Sequence, residues 1–237
     1  MPLLEPSAMP APPAPPRRVS DVVHEALRRE ILDGTLAPDD AVPSERTLAE
    51  RFGVNRHAVR EALKRLQQAG LIRISQGGAT RVRDWRVHGG FEVLLDLMHA
   101  GGDAPPAEIT RSVLELRALI GTDAARRAVA GSDAAARERA AALVEATIAA
   151  LGEPDDVLVA RYEDLWRAIV DGADNVAYRL LLNTLIEALA AFPGLAASLV
   201  PRDPAALELL ATAVRDGDAD RAAAIVAAQL QADAAGV

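Results

Sequence analysis

The chain has 237 residues, 50% of them hydrophobic, and a formal net charge of −8 at pH 7, which leaves room for two compact domains. It has no cysteine, which excludes a disulfide framework and thiolate metal sites and suits a reducing cytoplasm, the expected location. No run approaches the ~18 uninterrupted apolar residues of a membrane span, so no membrane partner is expected. The charge is unevenly spread: from Arg46 to Arg83 nine Lys/Arg stand against two acids, Glu50 and Glu61, whereas from Trp85 onward 13 bases stand against 23 acids. A basic stripe of that kind is the electrostatic footprint of phosphate binding.

Residues 1–18, MPLLEPSAMPAPPAPPRR, read as a Pro/Ala-rich disordered tail and lack the early charge and apolar core of a signal peptide. Ser20 to Asp33 predicts a helix with Val23, Leu27 and Ile31 on one face, ended by Gly34. Ser44 is the N-cap of a second helix that stops at Gly53. Asn55 caps a third, with Val59, Ala62, Leu63 and Leu66 on its buried face and Gly70 at its end. Arg56, His57, Arg60 and Lys64 lie near its start or on its other side, as a helix entering the major groove requires. Leu71 to Val82 follows with strand formers around a turn at Gly77-Gly78, a β-hairpin directly behind a recognition helix. Together these elements predict a winged helix-turn-helix over residues 19–85. Val87 to Ala100, with Phe91, Val93, Leu94, Leu97 and Met98, predicts a linking helix within residues 86–103.

Residues 104–237 are helical in pattern throughout. Pro105-Pro106 opens a helix from Ala107 to Val129 with Ile109, Val113, Leu116 and Ile120 on one face. Ser132 or Asp133 caps a second, Pro154-Asp155 opens a third, and Asp174 or Asn175 starts a fourth that runs to about Phe192. Pro201 to Asp203 precede a fifth, and Gly217-Asp218 separates it from a sixth, Ala219 to Ala232. The expected fold class is mainly α: three helices plus a β-hairpin wing, then an antiparallel six- to seven-helix bundle. His88 and His99, 11 residues apart, would share a face of the linking helix about three turns apart, too far to hold one ion.

The segment ILDGTLAPDDAVPSERTLAERFGVNRHAVREALKRLQQAGLIRISQGGATRVRDW resembles the DNA-binding domain of the GntR family of bacterial transcription regulators. The resemblance rests on Pro43-Ser44-Glu45-Arg46, Leu48-Ala49, Gly53-Val54, Arg56, Val59-Arg60, Ala62-Leu63, Leu66 and Gly70-Leu71-Ile72. Asp40 and Val42 stand where the family usually has glycine and leucine. Within the family, VLELRALIGTDAARRAV, DLWRAIVDGADN and LATAVRDGDADRAAAIVAAQL resemble the all-helical FCD sensor domain of the FadR subfamily, and QGGATRVRDWRVHGGFEVLLDL resembles its acyl-CoA-responsive branch.

The resemblance implies that Arg46, Asn55, Arg56, His57, Arg60 and Gln76 occupy DNA-contacting positions, with Gln76 and Gly77 at the wing tip near the minor groove. Arg56 and Arg60 would make base-edge contacts, bidentate to guanine. Many FCD domains hold a divalent metal through an aspartate and three histidines. The corresponding positions here are Tyr162, Trp166, Leu207 and Gln229, which predicts no metal and no other cofactor. Tyr162, Trp166 and Leu207 would make that cavity apolar, and Arg117 falls where FadR-like domains carry a pocket arginine able to meet an acyl ligand's head group. The plain alternative is that Tyr162 and Trp166 fill a core gap and Arg117 pairs with an acid.

The implied function is a homodimeric, ligand-responsive transcription regulator of fatty-acid or lipid metabolism. It would bind a palindromic double-stranded DNA operator, with long-chain acyl-CoA as effector. One rival is a carboxylate-sensing regulator of sugar-acid or amino-acid catabolism. Another, of a different class, is an architectural DNA-binding dimer without a small-molecule ligand. No enzyme is expected: the chain has no glycine-rich phosphate loop, no H-E-x-x-H and no Gly-x-Ser-x-Gly.

Overall fold

Side-chain caps and left-handed glycines shape the N-terminal unit of the computed structural model, which describes residues 19–75, 78–99 and 104–236. Helix α1 (Val19–Leu32) packs chiefly on α3 (Arg56–Gln68), and α2 (Glu45–Phe52) also packs on α3. The Ser44 oxygen accepts from the Thr47 N–H and the Asn55 oxygen from the Ala58 N–H, so each helix start has an orphan donor satisfied. Gly53, at φ 65°, ends α2 and turns the chain into α3. Gly70, at φ 73°, ends α3, with the Gly70 N–H donating to Gln67 O and the Leu71 N–H to Leu66 O. A Cβ at Gly70 would sit 2.2 Å from the carbonyl oxygen of His88, so glycine is required twice over. Val23, Leu27, Leu48, Val59, Ala62 and Leu66 are all fully buried, as the helical spacing predicts.

The wing is smaller than its sequence pattern. β1 (Ile72–Arg73) pairs antiparallel with β2 (Arg81–Val82), with Ile72 opposite Val82 on the buried side. Ile74, expected in the strand, lies outside it and is exposed. The loop before α2 adds a third edge that the sequence did not announce: Ala41 bridges Arg81, and the Val42 N–H donates to Thr80 O at 2.9 Å. The segment expected as one linking helix is broken. It forms α4 (Trp85–His88) and α5 (Phe91–His99), because Gly89 is extended and Gly89-Gly90 offers no helix-favouring side chain. His88 and His99 therefore end different helices. The chain divides into its two compact units between Val93 and Leu94, within α5.

His24 is buried in the N-terminal unit, with its Nδ1 lacking a hydrogen-bond partner among the described residues. Burial first, then Arg65 and Arg28, lower its pKa from 6.5 to about 4. The unfolded chain thus binds a proton through the window from 6.5 down to about 4 that the folded chain refuses. Stability falls as pH falls through that window, by up to about 3 kcal/mol. Hydrogen exchange of α1 amides at pH 7 and pH 5 should show this loss in the wild type and a smaller one in His24→Leu. An equal loss in both would remove the role of His24.

The second unit contains seven further helices among the described residues: α6 (Ala107–Ala130), α7 (Ala134–Ala149), α8 (Asp155–Gly172), α9 (Val176–Ala190), α10 (Pro193–Ser198), α11 (Pro204–Asp216) and α12 (Ala219–Ala235). Asp133, Asn175, Asp203 and Asp218 each cap the helix that follows. The fourth helix predicted to Phe192 ends at Ala190, and Pro193 starts the short α10, since proline suits a first helical turn and not a helix interior. Helix α6 lies along α12 and α7 along α11, with α8 packed on α6 and α7. The buried stripe of α6 runs through Thr110, Val113, Leu114, Ala118, Gly121, Ala124, Ala125 and Val129, while Leu116 and Ile120 are half-buried. Small residues prevail there because the helices approach closely: a Cβ at Gly121 would meet Leu230 at 2.6 Å and the Trp166 ring at 2.8 Å.

Candidate DNA interface and effector pocket

On α3 the residues Ala58, Val59, Ala62, Leu63 and Leu66 face the core, leaving Arg56, His57, Arg60 and Lys64 exposed. The helix thus presents a basic face that begins at its N-terminus, where backbone N–H groups and the helix dipole also favour phosphate. Arg60 is not a loose side chain. Its Nε and Nη2 donate to the two carboxylate oxygens of Glu45 at 3.0 and 2.7 Å, and the Arg60 guanidinium holds the Glu45 carboxyl below its usual range. Both partners are solvent-accessible, so the pair is weak and can be exchanged for a base edge or phosphate at small cost. Glu45 was missed by sequence reasoning, and its 15-residue separation from Arg60 gave no local signal.

Arg46, on α2, makes an exposed pair with Glu50 at 2.9 Å. Asn55 has its side-chain oxygen committed to the α3 cap at 2.9 Å, which leaves its amide NH2 as the group able to face outward. Arg46, Asn55, Arg56, His57 and Arg60 thus all lie on α2, on α3 or at the turn between them. Gln76 and Gly77 lie outside the described residues.

In the bundle, Tyr162 and Trp166 pack edge to face with ring centroids 6.1 Å apart and form a wall common to two cavities. The first lies among α6, α8, α9 and α10 and includes Arg117, Tyr162 and Trp166. The second, of about 360 Å³, lies among α8, α11 and α12 and includes Tyr162, Trp166, Leu207 and Gln229. The four positions assigned to the family's metal thus converge on one cavity. Their phenol, indole, isobutyl and amide groups do not fit a divalent metal as a ligand set. Among the described residues no three His, Cys, Asp or Glu side chains gather as a metal site.

Arg117 corrects the expectation of a cation waiting for a head group. Its Nη1 donates to Asp233 Oδ2 at 2.6 Å, with the two side chains only 8% and 6% exposed, and its Nη2 donates to the Tyr162 hydroxyl at 3.4 Å. Gln229 Nε2 donates to the other Asp233 oxygen at 2.9 Å. A buried guanidinium is costly unless matched, and Asp233, 116 residues away in sequence, matches it. Burial pushes the Tyr162 phenol above its ordinary range, against the opposing pull of Arg117. Trp166 is 9% exposed, and its indole N–H is buried without a hydrogen-bond partner among the described residues. Arg117, Tyr162, Trp166 and Leu207 therefore do not line one pocket: Arg117 and Leu207 fall on opposite cavities, with the aromatic pair in both.

Comparison with known proteins assigns both units. Residues 19–82 match the family of bacterial regulatory proteins, gntR family, and residues 112–232 match the FCD domain. The chain is 35% identical over 213 residues to the HTH-type transcriptional regulator Mce2R of Mycobacterium tuberculosis, covering 87% of this chain and 86% of that one. It is 28% identical over 159 residues to the fatty acid metabolism regulator protein of an Enterobacter species, covering 67% of this chain and 64% of that one. The solved structure of Lar, which controls the expression of the Listeria monocytogenes agr system, shares the fold with a TM-score of 0.56 at 15% identity, over 93% of this chain and 98% of that one. A winged helix-turn-helix joined to an FCD domain, and a relative of this similarity along most of both chains, place the protein in the GntR family as a DNA-binding transcriptional regulator and not an enzyme.

Proposed function

We propose that the protein is a homodimeric regulator of fatty-acid or lipid metabolism that releases or grips a palindromic operator according to whether an acyl ligand, with long-chain acyl-CoA as the leading candidate, occupies the bundle. The observation that carries this is the cavity of about 360 Å³ in which the usual metal positions are Tyr162, Trp166, Leu207 and Gln229. Its volume falls in the range of small-molecule sites, and its lining suits a hydrocarbon chain better than a small charged metabolite. The similarity to a fatty acid metabolism regulator supports fatty-acid metabolism as the regulated process. Arg56 and Arg60 read base edges, Arg46, Asn55 and His57 add phosphate contacts or readout, and the wing with Gln76 and Gly77 approaches the minor groove. Leu207, Tyr162 and Trp166 contact the chain, and Arg117 acts through the neutralised cluster with Asp233 rather than as a free cation. The ligand changes occupancy only if it binds the DNA-competent and the released states with different affinity.

Acyl-CoAs of increasing chain length, titrated against the complex of the protein with an operator selected from random duplexes, should release DNA with rising potency. Each buried methylene should add up to ~0.8 kcal/mol until the cavity is full, and free CoA should have no effect. If no chain length alters DNA binding, or free CoA acts equally well, the carboxylate-sensing or architectural alternative replaces this one.

A further inference from the structure

Resting on the acyl-ligand proposal, the pairing of Arg117 with Asp233 leaves open which cation meets the ligand's anionic end. The 360 Å³ cavity has none of its own: no charged residue lines it, and its exposed rim is Leu209, Ala228 and Ala232. A third cavity, of about 410 Å³, adjoins it and shares Leu165, Ile169, Leu210 and Val226 as a common wall. It lies among α6, α7, α8, α11 and α12, and its lining is aliphatic except for Ser132, Arg137, Arg139 and Asp171. The exposed Asp171 carboxylate is already paired with Arg179. Neither Arg137 nor Arg139 pairs with a carboxylate among the described residues. Arg139 is exposed, but Arg137 is half-buried and held in place. Its Nη1 donates to Ser132 O at 3.0 Å, and a Cβ at Gly217 would meet its Cζ at 3.3 Å. The Arg137 Nε is enclosed and out of a ligand's reach, whereas Nη2 makes no hydrogen bond and is not enclosed. A guanidinium fixed in this way, with an unused donor at the edge of an apolar cavity, is pre-organised for an oxyanion.

We infer that Arg137 receives the oxyanion of the acyl ligand, a carboxylate or a carrier phosphate, and that the chain enters beside it. The chain fills the 410 Å³ cavity. A longer one parts the Leu165, Ile169, Leu210 and Val226 side chains and reaches Tyr162 and Trp166 in the adjoining cavity. Arg139 adds positive potential at the mouth, and Asp171 opposes it.

The test is calorimetric titration of the full chain at pH 8 with dodecanoyl-CoA, dodecanoate and methyl dodecanoate, below their aggregation limits. In the wild type at least one of the two anionic ligands should bind about ten-fold more tightly than the ester, the worth of a charge-assisted contact. Arg137→Gln should remove that advantage and leave the ester unchanged, which also shows the cavity intact. Arg137→Lys, which keeps the charge and loses the fork, should recover part of it. An advantage for dodecanoate assigns the oxyanion to the carboxylate, and one for dodecanoyl-CoA alone assigns it to a carrier phosphate. Asp171→Asn removes the one carboxylate of the lining. It should tighten the anionic ligands about two-fold without moving the ester, a gain that structural damage would not produce. An anion preference that survives in Arg137→Gln, or none in the wild type, would overturn the Arg137 seat and leave the acyl-ligand proposal standing. Should Arg137→Gln fail to fold, unchanged anion affinity in Asp171→Asn overturns the seat by itself. Failure of all three molecules to bind would overturn both.

Discussion

Arg117→Ala is expected to destabilise the bundle by about 3–5 kcal/mol, because it strands the Asp233 carboxylate in a place where it is 6% exposed. That is a large share of the stability of a domain this size. The paired replacement Arg117→Met with Asp233→Leu should be close to neutral, since it removes both desolvated charges and keeps their volume. Urea melts of the wild type, the single variant and the pair measure this directly. An arginine that served only as a head-group contact would instead weaken ligand binding in a domain that stays folded. A single variant that melts like the wild type would restore that view and show the 2.6 Å ion pair to be energetically idle.

Arg56→Ala and Arg60→Ala should each cost about 1–3 kcal/mol on the cognate operator, the worth of a lost bidentate base contact. Arg60 is exposed on α3, with Glu45 holding its guanidinium in place before DNA arrives. Arg56 follows the Asn55 cap at the start of the same helix. Fluorescence anisotropy on cognate and scrambled duplexes separates the roles. A base-reading arginine loses the difference between the two duplexes, and a phosphate-binding one loses affinity for both. Wild-type affinity for both duplexes in each variant would place the groove contacts elsewhere.

The elements legible in the sequence were those fixed by local chemistry. Ser44, Asn55, Gly53 and Gly70 act within a turn of their own positions, and the core spacing of α1 and α3 is carried by large side chains with a clear helical period. The bundle was legible as a class but less so in register. The buried stripe of α6 is made largely of alanine and Gly121, which carry little periodic contrast, so the larger Leu116 and Ile120 drew the prediction to the neighbouring face. The break at Gly89-Gly90 and the restart at Pro193 were written in the sequence and outweighed there by the apolar runs around them. Glu45 as the partner of Arg60, and Asp233 as the acid that pairs with Arg117, could not be named from the sequence, because each joins residues brought together only by the fold. The second of these matters most, since it changes Arg117 from a ligand's counter-ion to a neutralised part of the core.

The most direct test of the effector assignment is native mass spectrometry of the full chain purified from its own host, paired with elemental analysis. The account predicts one organic molecule per protomer with the mass of an acyl ligand such as a long-chain acyl-CoA, and no stoichiometric metal. A stoichiometric divalent metal, or a small carboxylic acid as the bound molecule, would contradict it.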